Sequence, residues 1–89
     1  MNLQEALDTL GNSTEDIVLT LQFLQLKGRM RDPLTSPVSR YLHLCGIRKP
    51  SVSMSNIMYG DRQILPTPDA VSEFVRLFDA GKYPQLVRY

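Results

Sequence analysis

Four times along this chain a residue suited to capping a helix N-terminus is followed by an amphipathic run and then by glycine: Asn2 to Gly11, Asn12-Ser13-Thr14 to Gly28, Ser36-Pro37 to Gly46, and Thr67-Pro68 to Gly81. A short polar side chain at the cap accepts a hydrogen bond from a free N–H of the first turn, and glycine reaches the left-handed backbone that ends a helix. Proline at the first helical position loses no hydrogen bond, because its N–H would be free there anyway. This punctuation predicts four short helices, at about 3–10, 14–27, 37–45 and 68–80, and excludes a long one.

Side-chain spacing supports each helix. Leu3, Ala6, Leu7 and Leu10 share one face, with Glu5 three residues after Asn2 as in a capping box. In the third helix Val38, Tyr41, Leu42 and Cys45 point one way and Ser39, Arg40 and His43 the other. The last helix buries Val71, Phe74, Val75 and Phe78. Between the third and fourth helices, Ser51 to Leu65 reads as a β-hairpin with a tight two-residue turn at Gly60-Asp61. The alternation Val52, Met54 shifts to Ile57, Tyr59, which predicts a bulge near Ser55-Asn56. With 89 residues there is room for one domain only. The expected fold is α+β: three N-terminal helices, a β-hairpin and a C-terminal helix around one small core, spanning 1–89.

Two segments carry more apolar surface than such a core needs. In the second helix Ile17, Leu21 and Leu24 form one stripe, and Leu19, Phe23 and Leu26 form another nearly opposite. Either this helix is central and covered on both sides by its own chain, or one stripe meets a partner. The tail, Tyr83 to Tyr89, is unusually apolar for a terminus. It either packs back onto the domain or docks on another chain.

Charge is divided along the chain although the net value is only +1. Residues 1–26 carry Glu5, Asp8, Glu15 and Asp16 with no base, whereas 27–49 carry Lys27, Arg29, Arg31, Arg40, Arg48 and Lys49 against Asp32. Such separation steers partners and leaves the fold class open. The single cysteine, Cys45, makes no internal disulfide, so a reducing compartment is expected. The longest uncharged apolar run, Ile17 to Leu26, is too short for a bilayer and is broken by Thr20, Gln22 and Gln25. Acids near the N-terminus argue against a secretory leader. Together these features predict a cytoplasmic protein that does not enter a membrane.

Motifs for catalysis are missing from the sequence. His43 and Cys45 are two residues apart, which on a helix turns their side chains away from each other. Glu15 with Asp16, and Asp69 with Glu73, lie in or near first helical turns, where the helix dipole accounts for them. No glycine-rich phosphate loop and no metal-ligand spacing occurs, so neither enzyme activity nor a cofactor or metal is expected.

The basic segment is the one polar feature with functional content. Three helices followed by a two-stranded hairpin is an order of elements similar to that of winged-helix DNA-binding domains. That resemblance of layout implies that the third helix enters the major groove and that Gly60-Asp61-Arg62 forms the wing. The connection 28–35 is longer than the usual turn between the two helices, and Asp61 would face phosphate.

Two functions are therefore expected from the sequence. The favoured one is a non-catalytic interaction or regulatory module binding another protein, or a second copy of itself, through Leu19, Phe23, Leu26, Tyr83, Leu86, Val87 and Tyr89, with the basic segment steering. The alternative is nucleic-acid binding through Arg29, Arg31, Arg40, His43, Arg48, Lys49 and Arg62.

Overall fold

The computed structural model describes residues 2–88. Three of the capping signals act as read. The Asn2 side-chain oxygen accepts from the Glu5 amide at 2.8 Å and opens α1 (Leu3–Leu10). Ser13 Oγ accepts from the Asp16 amide at 3.1 Å and opens α2 (Thr14–Phe23). Ser36 Oγ accepts from the Ser39 amide at 3.2 Å and opens α3 (Pro37–Leu44).

The fourth signal works differently. In α4 (Asp69–Asp79) Pro68 holds the cap position, and no side chain caps the first turn. Thr67 instead donates its hydroxyl to the Ser53 carbonyl at 2.8 Å and its amide to the Ser55 carbonyl at 3.1 Å. A threonine that was expected to cap thus ties the helix start to the sheet.

Glycine ends α3 and α4 as expected, by the same pair of backbone bonds. Gly46 N–H donates to His43 O and Ile47 N–H to Leu42 O; Gly81 and Lys82 repeat the pattern on Phe78 and Leu77. Helix α2 stops four residues earlier than its glycine suggested. Gln25, at φ 58°, takes the left-handed position, and the Gln25 and Leu26 amides bond back to Gln22 O and Leu21 O. A glutamine fills the role glycine fills at 46 and 81.

Gly28 is then free for another purpose. Its φ is not positive, yet a β-carbon there would run into the Thr35 carbonyl oxygen and lie 2.5 Å from Pro37 N and from the Ser36 carbonyl carbon. The absent side chain lets the chain at 35–37 pack directly against residue 28, and the backbone of residue 28 also pairs with the tail. Gly28 N–H donates to Leu86 O at 2.9 Å and Arg88 N–H donates to Gly28 O at 2.8 Å, a parallel bridge between Gly28 and Val87.

The β region is a three-stranded antiparallel meander, β1 (Ser51–Val52), β2 (Asn56–Tyr59) and β3 (Gln63–Pro66), in that order. The shift in alternation marks a turn at 53–55 and not a bulge within one strand: Ser53 Oγ both donates to Asn56 O and accepts from the Asn56 amide. In register, Val52, Ile57 and Leu65 stand side by side on one face and Ser51, Met58 and Ile64 on the other. The inner row is buried or half-buried, whereas Met58 and Ile64 are exposed. The expected two-residue turn at Gly60-Asp61 is corrected: Tyr59 pairs with Gln63, so the connection has three residues, Gly60 to Arg62, with left-handed backbone at Gly60 (φ 57°) and at Arg62 (φ 69°), which takes the third position.

These elements enclose one apolar core, as the α+β expectation requires. Helix α2 packs on α1, α3 and α4, and α3 packs on β1. Phe74 and Phe78 of α4, Leu10, Ile17, Leu21, Leu42 and Ile57 are among its fully buried side chains. A 3₁₀ turn at Pro84–Leu86 inserts Leu86 beside them, and Tyr83 stacks on Phe74 with ring centroids 5.5 Å apart. Tyr41 ties α3 to α1 by donating its hydroxyl to the Ala6 carbonyl at 2.7 Å. No helix among the described residues is long and apolar enough to cross a membrane.

Candidate functional site

Helix α2 is buried on one side only. Ile17, Val18 and Leu21 face the core, while Leu19 is 64% and Phe23 87% exposed. Leu19 and Phe23 are four residues apart, so they stand one above the other on the outer surface. The expectation that the chain covers both stripes of this helix is therefore corrected. Leu24, assigned to the inner stripe, is 38% exposed, because the helix ends before it and the chain turns away.

The apolar tail follows the first of its two alternatives and packs back onto the domain, which corrects its residues as interface candidates. Leu86 and Val87 are buried by the bridge to Gly28 and belong to the core, and Tyr83 is half-buried on Phe74. They offer little docking surface. Tyr89 lies outside the described residues.

Two exposed leucines that periodicity did not single out extend the apolar surface of α2. Leu34 is 67% and Leu44 62% exposed. Leu34 is held outward by an ordered loop: its own amide and that of Thr35 bond to Asp32, and the Arg29 amide donates to Thr35 O. The loop is pinned further by Pro33, whose carbonyl accepts from the Val52 amide and from the Ser39 hydroxyl. Ser39, expected to point outward from α3, is thus buried, and only Arg40 and His43 of that predicted trio remain exposed. The available signal for Leu34 was an isolated large apolar residue in a polar loop, and for Leu44 an apolar residue outside its helix's buried stripe.

Leu34 and Leu44 border a groove of about 340 Å³ lined also by Leu26, Pro50, Ser39, Arg40 and His43. Leu26 additionally lines a neighbouring depression with Gln22, Gln25 and Lys27, and Gln22 in turn lines the shelf of Leu19 and Phe23. Shared lining residues make these three surfaces one band, running from the outer face of α2 to the groove beside α3. No Asp or Glu lines any part of it.

The other basic residues are dispersed. Arg48 and Lys49 lie beside the β2–β3 turn, since Arg48 O accepts from the Gly60 amide at 2.8 Å, and that turn carries Arg62. Arg31 is elsewhere, its amide donating to Asp79 Oδ1 at 2.8 Å. The register of the Gly28–Val87 bridge sets Arg29 next to Arg88, a neighbour the sequence reading did not include. All these side chains are exposed. Among the described residues the only ion pair is Glu73–Arg76 on α4, which lowers the Glu73 pKa through its hydrogen bond to the guanidinium. The cations of 27–49 are thus without carboxylate partners among the described residues.

A second cavity, of about 400 Å³, lies between α4, the 53–55 turn and the 31–36 loop, with Phe74 and Phe78 in its wall and Arg31 and Asp79 at its edge. The backbone bond from Arg31 already engages the Asp79 carboxylate. No group of three or more His, Cys, Asp or Glu among the described residues is placed to hold a metal ion.

Compared with known proteins, the chain matches no family model, no curated protein and no solved structure.

Proposed function

We propose that the chain is a small non-catalytic interaction module that binds a protein partner across the band from Leu19 and Phe23 to Leu34 and Leu44. Lys27 and Arg40 orient the approach. The observation that carries this reading is Phe23, 87% exposed on a well-capped helix with Leu19 one turn before it. Covering a large apolar side chain contributes about 1.5–3 kcal/mol, and interface centres are enriched in aromatic residues and Arg. An ordered loop and an ordered helix present these side chains, so little conformational freedom is lost on binding.

The tail, which the sequence offered as part of the same surface, is replaced in this reading by the groove beside α3. Complexes isolated with the wild-type chain should be lost with Phe23→Ser and retained with Arg62→Glu, both variants being folded. Equal retention by both would contradict the proposal.

Nucleic-acid binding is supported by a separate observation, the adjacency of Arg29 to Arg88 and of Arg48 and Lys49 to the turn bearing Arg62. It requires mobility shifts on mixed DNA that weaken steeply with salt and that Arg48→Glu with Arg62→Glu abolishes. Absence of a shift at low salt removes it.

A further inference from the structure

Charges of opposite sign mark the two ends of the band: acids flank it at one end and bases line it at the other. On the outer face of α2, Glu15 and Asp16 lie one turn before Leu19, and Phe23 one turn after it, so acid and apolar residues share that face. At the other end the groove joins apolar walls, Leu26, Leu34 and Leu44, to Arg40 and His43 on α3. Read along the surface the order is acid, apolar, a polar centre with Gln22, Gln25 and Lys27, apolar, base. Turned end for end, the two ends are complementary, and Lys27 is the one charge left near the centre.

We infer that the band is an isologous interface in which two copies of this chain pair about a twofold axis. The outer face of α2 in each copy occupies the groove beside α3 in the other. This inference rests on the interaction reading above and names its partner. Leu19 and Phe23 enter the groove against Leu34 and Leu44, and Glu15 meets Arg40, whose guanidinium offers a fork of donors suited to a carboxylate. Twofold pairing makes each contact twice, as closed dimers require. The other acidic element, α1, is a poorer occupant: its apolar residues Leu3, Ala6, Leu7 and Leu10 are all buried, so Glu5 and Asp8 come with no apolar surface. Phosphate would match Arg40 but leave both leucines wet.

The pairing predicts a charge-swap result that few other arrangements produce. Glu15→Lys and Arg40→Glu each set like charges against each other twice, and each should weaken the dimer about tenfold or more. In an equimolar mixture of the two variants, every 15–40 contact in a mixed pair regains opposite charges, so the heterodimer should form more tightly than either variant's homodimer. Light scattering and sedimentation of wild type, each variant and the mixture read this directly. Both side chains are exposed, so circular dichroism should show unchanged folding. A wild-type chain monomeric at millimolar concentration, or a mixture no more dimeric than its components, overturns the inference. If Phe23→Ser still releases a different protein under those conditions, the interaction reading stands and only the identity of the partner falls; if it releases nothing, both fall.

Discussion

Gly28→Ala should be among the most damaging single-methyl additions in this chain, and its cost can be worked from the neighbours of residue 28. The new carbon would lie 2.5 Å from Pro37 N and from the Ser36 carbonyl carbon, and closer still to the Thr35 carbonyl oxygen. All three are backbone atoms, so no rotamer change relieves the overlap. The backbone at 28 must move away from the 35–37 segment, which strains the Arg29–Thr35 bond and disturbs the pairing of residue 28 with the tail. Parting from the tail breaks the Gly28–Leu86 and Arg88–Gly28 bonds, about 1 kcal/mol each. It also partly uncovers Leu86 and Val87, for which full exposure costs roughly 1.5–3 kcal/mol each. The total is about 3–5 kcal/mol. For a chain of 89 residues this lowers Tm by roughly 15–25 °C, at about 5 °C per kcal/mol. Gly46→Ala is the control: its φ is +89° but open space surrounds the site, so only the left-handed backbone is penalised, about 1 kcal/mol. Thermal and urea unfolding followed by circular dichroism measure both. If Gly28→Ala melts within about 5 °C of wild type, the 35–37 segment is not packed against residue 28 as described here.

Other perturbations separate the inner and outer faces of the same elements. Leu21→Ala should cost about 2–5 kcal/mol and Phe23→Ser less than about 0.5 kcal/mol, a contrast in urea midpoints that a helix buried on both sides would not give. Gln25→Gly should raise stability by about 0.5–1 kcal/mol, since it relieves the left-handed glutamine that ends α2, and an unchanged Tm would argue against that cap. Tyr41→Phe should cost about 1 kcal/mol through the lost bond to Ala6. Burial, with Cys45 beside it, pushes the Tyr41 phenol above the ordinary tyrosine range. The unfolded chain therefore releases this proton first, and the folded state loses stability as pH rises past about 10. Unfolding at about pH 9 and about pH 11 should show a steeper loss for wild type than for Tyr41→Phe; parallel losses would refute the assignment.

Helix existence was legible because the start signals are local. Asn2, Ser13 and Ser36 cap within their own first turns, and the apolar spacing of α1 and α4 leaves one face to bury. The end of α2 was not legible, since a glutamine in left-handed backbone carries no compositional mark and Gly28 looked like a stop when its purpose is close approach by the chain at 35–37, which only the folded loop brings there. Thr67 was misread for a related reason: its partners, Ser53 and Ser55, are distant in sequence. The turn at 53–55 imitates a bulge because both reverse the side-chain alternation. At the candidate site, Leu19 and Phe23 were named from periodicity alone. Leu34 and Leu44 were missed because only the folded loop and α3 bring them to one groove, and Leu86 and Val87 were left open between core and interface because their bridge partner, Gly28, is distant in sequence.

The central claim is that the band over α2 and α3 contacts protein in its working state. A photo-crosslinking amino acid placed at position 23, and separately at 44, tests it in living cells, with positions 64 and 73 as exposed controls off the band. The account predicts one discrete adduct of the same mass from 23 and 44, twice the chain mass if the partner is a second copy, and none from 64 or 73. Equal, diffuse labelling from all four positions, or a discrete adduct from 64 or 73 alone, would contradict it.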